Sequence, residues 1–240
     1  MYKERTIIGI IPARGGSKGL PRKNVREISG KPLIAWSIER ALSSRHLDRV
    51  IVSTDDQEIA ETSKKFGAEV PFLRPPEIAG DKTPMIDVII HAIEFYKNIN
   101  RVFDYIALLE PTSPLRKIND IDSAIEKLID HEAEADSLVS VGEVQLEHPS
   151  IMKGIDGDYV KPYETNARII TRRQELDKVF FPYGVIYLSK TEKLIKHGTF
   201  YHERTIPYFI ERWQNYEVDD IYDFICIDAV MKQKLKEAGK

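Results

Sequence analysis

The chain has 240 residues, 42% of them hydrophobic and 30% charged, enough to bury one core, and its formal charge of -3 excludes a general nucleic-acid binder, which carries a basic footprint. A single cysteine, Cys226, excludes an internal disulfide, and no stretch reaches the length needed to cross a membrane. One domain spanning 1–240, located in the cytoplasm, is expected, and the six scattered histidines do not pattern as a zinc site.

Residues 7–11 form a short, β-branched, almost fully apolar run, the kind that becomes a strand buried on both faces, and Pro12 ends it. The loop that follows, from Ala13 to Asn24, joins Gly15, Gly16 and Gly19 to the cations Arg14, Lys18, Arg22 and Lys23. Glycine's conformational freedom lets consecutive N–H groups turn toward one centre, so this composition is that of an anion-binding nest. The glycines run G-G-x-x-G, which matches neither G-x-x-x-x-G-K-[ST] nor G-x-G-x-x-G. A solvated turn is the competing account; a position directly after the first buried strand, where α/β sheets take their ligands, weighs against it.

Further along, Gly30-Lys31-Pro32 opens a helix with proline in its first turn, and Leu33, Ile34, Trp36, Ile38, Ala41 and Leu42 give its apolar surface. Residues 49–54 are the second strand, Asp55-Asp56 either serves function or caps a helix over 58–66, Gly67 stops that helix, and 69–73 is a short third strand. After the loop 74–82, Thr83 caps and Pro84 starts a helix whose Ile86, Ile89, Ile90, Ile93 and Tyr96 repeat at core-packing spacing. A buried strand over 105–110 leads into the turn 111–116, followed by an amphipathic helix (Ile121, Ala124, Ile125, Leu128, Ile129) and a strand over 137–144.

From 145 to 178 the pattern changes to short β-like pieces and a basic run, a surface excursion. Strand character resumes at 184–188 and 207–210, and a last helix starts near Asp220, with Cys226 as a buried, inert thiol. Strands alternating with helices imply right-handed crossovers and an α/β fold of three layers, a mostly parallel twisted sheet with helices on both faces. Ligands bind beyond the carboxyl ends of such strands, where the first loop, Asp55, Arg74 and 110–116 converge.

The segment Pro12-Ala13-Arg14-Gly15-Gly16-Ser17-Lys18-Gly19-Leu20-Pro21-Arg22-Lys23-Asn24 resembles the signature loop of the CMP-sialic acid synthetases, the acylneuraminate cytidylyltransferases. The likeness continues at Val52-Ser53-Thr54-Asp55, Leu73-Arg74-Pro75, 109–116, Arg173-Gln174 and 183–187, nearly the whole chain. Relatives that activate the eight-carbon sugar KDO lack the Lys-Gly-Leu-Pro segment. The resemblance implies the Rossmann-like nucleotidyltransferase fold, a homodimer with the 145–178 excursion reaching across its interface, and CTP plus an acidic nine-carbon sugar as substrates.

Cytidylyl transfer requires a clamp on the triphosphate, a divalent cation to offset charge on the α-phosphate and pyrophosphate, and a hydroxyl held in line. Arg14 and Lys18 are assigned to the phosphates, Ser17 and Asn24 as neutral groups at the same centre, and Ala13, Gly15 and Gly16 to the nucleotide loop; Arg22 and Lys23 either join them or face solvent. The resemblance places Arg74 and the backbone around Gly80 at the nucleobase. For Mg2+, Glu217 and Asp219 stand two apart on one face of an extended segment and correspond to the family's acidic Asp-x-Asp pair, with Glu217 one methylene longer. Capping of the last helix by Asp219 or Asp220 is the structural alternative.

The acceptor's carboxylate needs a cation, from Arg168, Arg172 or Arg173, of which Arg173-Gln174 matches the family best. Glu110, Thr112, Ser113, Tyr183 and Gly184 complete the expected sugar site. Users of N-acetylneuraminate tend to carry Gln at Glu110, Arg at Phe181 and Asn at Tyr183, so the sugar is N-acetylneuraminate or a related legionaminic or pseudaminic acid. No histidine or isolated carboxylate identifies itself as a general base. The rivals are a KDO-activating enzyme, a GTP-using one, and a catalytically silent nucleotide-binding or scaffold protein.

Overall fold

The computed structural model describes residues 1–163 and 176–238. In chain order the elements are β1 (Ile7–Pro12), the short pair β2 (Glu27–Ile28) and β3 (Lys31–Pro32), α1 (Leu33–Leu42), β4 (Arg49–Ser53), α2 (Gln57–Lys65), α3 (Met85–Asn98), β5 (Tyr105–Leu108), α4 (Asp120–Asp130), β6 (Ser137–Glu143), β7 (Lys153–Asp156), β8 (Tyr159–Pro162), β9 (Phe180–Lys190), α5 (Thr191–His197), β10 (Thr205–Phe209) and α6 (Ile221–Ala238). Among the described residues no helix is long and apolar enough to cross a membrane.

Six strands form one sheet in the order β10-β6-β9-β5-β1-β4. β1 pairs parallel with β4 and β5, and β10 with β6, whereas β9 runs antiparallel between β5 and β6. The period of two along β1 sends Ile7 and Ile11 to one face, with α1, α2 and α4, and Ile8 and Ile10 to the other, with α3 and α5. Ile7, Ile8, Ile10 and Ile11 are each at most 1% exposed, and burial of each stabilises the fold by about 1.5–3 kcal/mol. Their parallel register, Ile10 opposite Ile51 and Leu108, brings the carboxyl ends of β1, β4 and β5 to one edge. A third cluster packs α6, through Phe224, Ile227 and Met231, on Trp36 and Leu115.

Four local expectations are corrected. Gly30-Lys31-Pro32 does not open the helix: Ser29 (φ 48°) and Gly30 (φ 90°) make the two-residue turn of a β2–β3 hairpin, and Pro32 only precedes α1. Asp228 of α6 holds that turn by accepting from Ser29 N (3.0 Å) and Oγ (2.6 Å). Residues 69–73 meet the sheet only at isolated bridges, Glu69 with Ile51 and Leu73 with Thr54, because Pro71 cannot donate to a ladder. α3 begins at Met85 with Pro84 before it and no side-chain cap from Thr83. Cys226 is exposed, since the inward stripe of α6 is Phe224, Ile227 and Met231 at i, i+3 and i+7 and leaves Cys226 off it. The cap at Asp56 does form, its Oδ1 accepting from Ile59 N at 3.0 Å.

Buried Asp136 ties the start of β6 to the end of β9 and the start of β10: it accepts from Lys190 Nζ at 2.9 Å and from Arg204 at 3.0 and 2.8 Å. The Arg204 guanidinium, then Lys190, hold its carboxyl well below the usual carboxylate range. A depressed folded pKa adds stability that is present above the unfolded value of about 3.9 and lost as pH falls through the folded one. Asp136→Asn is therefore expected to cost about 2 kcal/mol at pH 7. In urea melts the gap from wild type should close progressively below about pH 5; a gap independent of pH would contradict the linkage.

Candidate active site

Beyond the carboxyl ends of β1, β4 and β5 lies a cleft of about 460 Å³. The loop after β1 lines it with Pro12, Arg14, Ser17, Lys18, Gly19, Lys23 and Asn24; the segment after β4 adds Arg74, Gly80, Asp81 and Thr83. Met85 and Val88 of α3, Glu110, Pro111 and Thr112 beyond β5, and Asp219 before α6 close it.

The two cations assigned to the phosphates meet one carboxylate, Asp81, which ion-pairs with both Arg14 and Lys18. The Lys18 ammonium, together with Arg14, holds the Asp81 carboxyl below its ordinary value. Asp81 thus gathers both donors on a single anion. Asn24 is buried and donates to the Arg14 carbonyl at 3.2 Å, which fixes the loop's path. Arg74 is buried as well, donating to Ser53 Oγ at 3.2 Å and to the Ser53 carbonyl at the end of β4; burial lowers its pKa.

Gly15 and Gly19 act by space rather than by angle. None of Gly15, Gly16 and Gly19 has a positive φ, and the Gly15 N–H is given to Asp55 Oδ1 at 3.1 Å, so the expected nest of turned N–H groups does not form. A Cβ on Gly19 would stand 2.3 Å from the Asp219 carbonyl oxygen: the loop needs glycine there to lie against 219. Ala13 is buried, its N–H bonded to Ser53 O at 2.9 Å, and Gly16 stands in open space.

Adjacent cations part company. Arg22, in the left-handed region at φ 59°, turns away from the cleft to Asp56 Oδ2 (2.5 Å) and to Glu58, so its expected place at the nucleotide is corrected to a tie between the loop and α2. Lys23 turns inward, donating to the Val218 carbonyl at 2.7 Å with Asp219 Oδ1 3.6 Å away, and burial lowers its pKa.

Around the acidic pair, Val218 is buried and its N–H bonds to Thr112 O at 2.8 Å; of the two carboxylates that flank it, Asp219 lines the cleft and Glu217 does not. Glu217 Oε1 accepts from Ser113 Oγ at 2.8 Å and Gly184 N at 2.5 Å, whereas Asp219 is 89% exposed. Capping of α6 falls to Asp220 and Asp223, which take the N–H groups of Tyr222, Asp223, Asp219 and Asp220 at 2.7–3.1 Å. Asp219 is left to the cleft. Glu110 packs onto Gly184, where a Cβ would meet its Oε2 at 2.1 Å, and burial followed by the neighbouring Glu217 carboxylate pushes its carboxyl up to about 7.

Among the described residues no group of three or more histidine, cysteine or carboxylate side chains is close enough to cage a metal. Of the expected pair, the carboxylate of Asp219 beside the cations of the cleft fits Mg2+, which takes one or two carboxylates and completes its shell with phosphate and water, whereas Glu217 is turned to Ser113 and Gly184 and does not line the cleft.

A second cavity of about 290 Å³ adjoins the first; Met85 and Glu110 line both. Tyr187 of β9, Ile86 and Ile89 of α3, and Phe200 and Tyr201 of the α5–β10 loop make it largely apolar and aromatic. The sequence reading missed these residues, as it missed Asp81. Of the expected sugar-site residues, Glu110 and Thr112 reach the cleft and Gly184 packs on Glu110; Ser113 is buried as a support for Glu217. Tyr183 lines neither cavity, its ring 5.1 Å from that of Phe181, because it packs against the core on the α1–α4 face. Arg168, Arg172, Arg173 and Gln174 lie outside the described residues.

A mostly parallel sheet with helices on both faces and a basic, glycine-containing loop beyond β1 defines an α/β nucleotidyltransferase fold. A solved CMP:2-keto-3-deoxy-manno-octonic acid synthetase complexed with CTP shares it, with a TM-score of 0.69, 20% identity and coverage of 95% of this chain and 99% of that one. The chain belongs to the cytidylyltransferase family, whose model matches residues 8–234. It is 35% identical to a CMP-N,N'-diacetyllegionaminic acid synthase of Legionella pneumophila, over 94% of this chain and 96% of that protein. It is also 35% identical to an N-acylneuraminate cytidylyltransferase of Streptococcus agalactiae, covering 92% of this chain and about half (52%) of that longer protein.

Proposed function

We propose that this protein transfers CMP from CTP to the anomeric hydroxyl of an N-acylated acidic nine-carbon sugar, a nonulosonate, releasing pyrophosphate with Mg2+ as the metal. The observation that carries the proposal is the junction at Glu110 and Met85, where a cationic cleft opens into an aromatic cavity. Arg14 and Lys18 bind the triphosphate once it displaces Asp81, and Arg74 with the Gly80 backbone faces the base. The α-phosphate then lies between the cleft and the second cavity. There the acceptor hydroxyl gives its proton to water and its oxygen bonds α-phosphorus as the α–β phosphoanhydride bond breaks and pyrophosphate departs. Bound at Asp219, Mg2+ would offset charge on the phosphates.

Tyr187, Phe200 and Tyr201 suit the acyl groups of a nonulosonate better than an unsubstituted polyol such as KDO. The names of the relatives, a diacetyllegionaminic acid synthase and an N-acylneuraminate cytidylyltransferase, support the same class. The test is a panel of N-acetylneuraminate, legionaminate, pseudaminate and KDO with CTP or GTP, read as the mass of the nucleotide conjugate. Conjugate with CTP and an N-acylated acid is expected; conjugate with KDO alone, or with GTP alone, would replace the proposal. CTP binding without any conjugate would make this a silent binding protein.

A homodimer and a cytoplasmic location, where CTP is made, belong to the same proposal. The β7–β8 hairpin supports the dimer, exposing Ile155 (76%) and Val160 (67%) on a surface excursion. By sedimentation, wild type is expected as a dimer and Ile155→Asp with Val160→Asp as a monomer; two equal dimers would place the interface elsewhere.

A further inference from the structure

The loop between α5 and β10 brings Phe200 and Tyr201 to the second cavity, so whatever seats this loop shapes that cavity. The rings stand close to Tyr187, at 5.7 Å for Phe200 and 6.5 Å for Tyr201. Next in the chain is His202. Its Nε2 lies 3.0 Å from Ser189 Oγ, on the fully buried Ser189 of β9, two residues beyond Tyr187 on the same strand face. Ser189 spends its own hydrogen on the Lys190 carbonyl at 3.1 Å, so in this contact Nε2–H donates and Ser189 Oγ accepts.

The main chain of the loop is held separately. His202 N donates to Thr205 Oγ1 at 2.6 Å, Thr205 Oγ1 meets the His202 carbonyl at 2.8 Å, and Ser137 Oγ stands 2.7 Å from the same hydroxyl. His202 Nδ1 is buried without a hydrogen-bond partner, and the His197 ring packs edge-on at 5.2 Å. Thr205, whose hydroxyl also lies 3.4 Å from the Phe200 carbonyl, therefore keeps the loop's main chain attached to the sheet, while the Ser189 bond holds the His202 side chain.

We propose that His202 is a positioning residue for the acceptor, seating Phe200 and Tyr201 against Tyr187 through its bond to Ser189. The inference rests on the reading of the second cavity as the acceptor's pocket. A hydrogen bond of about 1 kcal/mol corresponds to about a five-fold effect. In His202→Ala, KM for the sugar is expected to rise about five-fold while KM for CTP stays within about two-fold of wild type. Ser189→Ala, which removes the same bond from the strand side, should give the same split, and His202→Gln, which keeps a donor, should restore most of the sugar affinity.

A sugar KM unchanged in His202→Ala, a parallel rise in the CTP KM, or a Gln variant as impaired as Ala would overturn the role. Hydrogen exchange in substrate-free protein separates this role from the acceptor reading. Residues 198–204 are expected to exchange faster in His202→Ala, with α5 and β6 unchanged, and equal exchange would overturn the anchor. A wild-type enzyme that makes no conjugate from any nonulosonate would overturn the acceptor reading, and the positioning role with it, even if the exchange result held.

Discussion

Arg116→Met is expected to lower the unfolding free energy by about 3–5 kcal/mol, the largest stability effect of any single substitution considered. Arg116 is 2% exposed, and its guanidinium donates to four acceptors: Val185 O at 2.5 Å, Ser37 Oγ at 2.7 Å, Glu110 O at 2.7 Å and Gly184 O at 2.6 Å. Burial lowers its pKa to about 10, still far above neutrality, so the group remains charged at pH 7. It cross-links α1, the turn after β5 and β9 at the point where Glu110 and Gly184 meet. Methionine replaces the stem but removes every guanidinium bond, leaving Gly184 O and Glu110 O the longer bonds from Glu110 N and Ser113 N at 3.2 Å, and a buried acceptor deprived of its charged donor costs about 1–3 kcal/mol. In urea denaturation the midpoint should fall at constant slope, and Arg116→Lys, a point donor that cannot span the fork, should recover less than half. A loss under about 1 kcal/mol would show that the remaining backbone donors satisfy these carbonyls.

Lys18→Ala is expected to cut kcat/KM for CTP about 100-fold, the effect of removing one preorganised donor to a group that carries transition-state charge. Lys18 is 79% exposed and contacts Asp81 alone among the described side-chain partners, so its melting temperature should not move. Asp81→Asn is the informative companion. It frees both Arg14 and Lys18 from an internal anion and should lower KM for CTP, by up to about five-fold, the scale of an exposed ion pair. Should Lys18→Ala turn over CTP at the wild-type rate, the triphosphate lies elsewhere.

Much of this was legible in the chain. The apolar run before Pro12, the 3.6-residue period of Ile86, Ile89, Ile93 and Tyr96, and the alternation of strands with helices carry the sheet, its faces and the edge where the loops converge. What escaped depends on distant partners. The β2–β3 turn is held by Asp228, 199 residues away, and two-residue strands have no period to detect. Arg22 and Lys23 are alike as neighbouring cations; only the placement of Asp56 and Glu58 on α2 against the Val218 carbonyl separates a structural tie from a cleft residue. The second cavity draws Tyr187, Phe200 and Tyr201 from a strand and a loop whose residues resemble ordinary core, and Gly19 is required by the approach of residue 219, not by its own backbone angles.

One molecule of CTP is expected to lose pyrophosphate only when an N-acylated acidic sugar supplies the attacking oxygen. Pyrophosphate release from CTP and Mg2+, measured with and without N-acetylneuraminate, legionaminate or pseudaminate, tests it most directly. Release that depends on one of these acids and matches CMP-sugar formation one to one is expected. Release at the same rate without any sugar, or none with every acid while CTP binds, would contradict it.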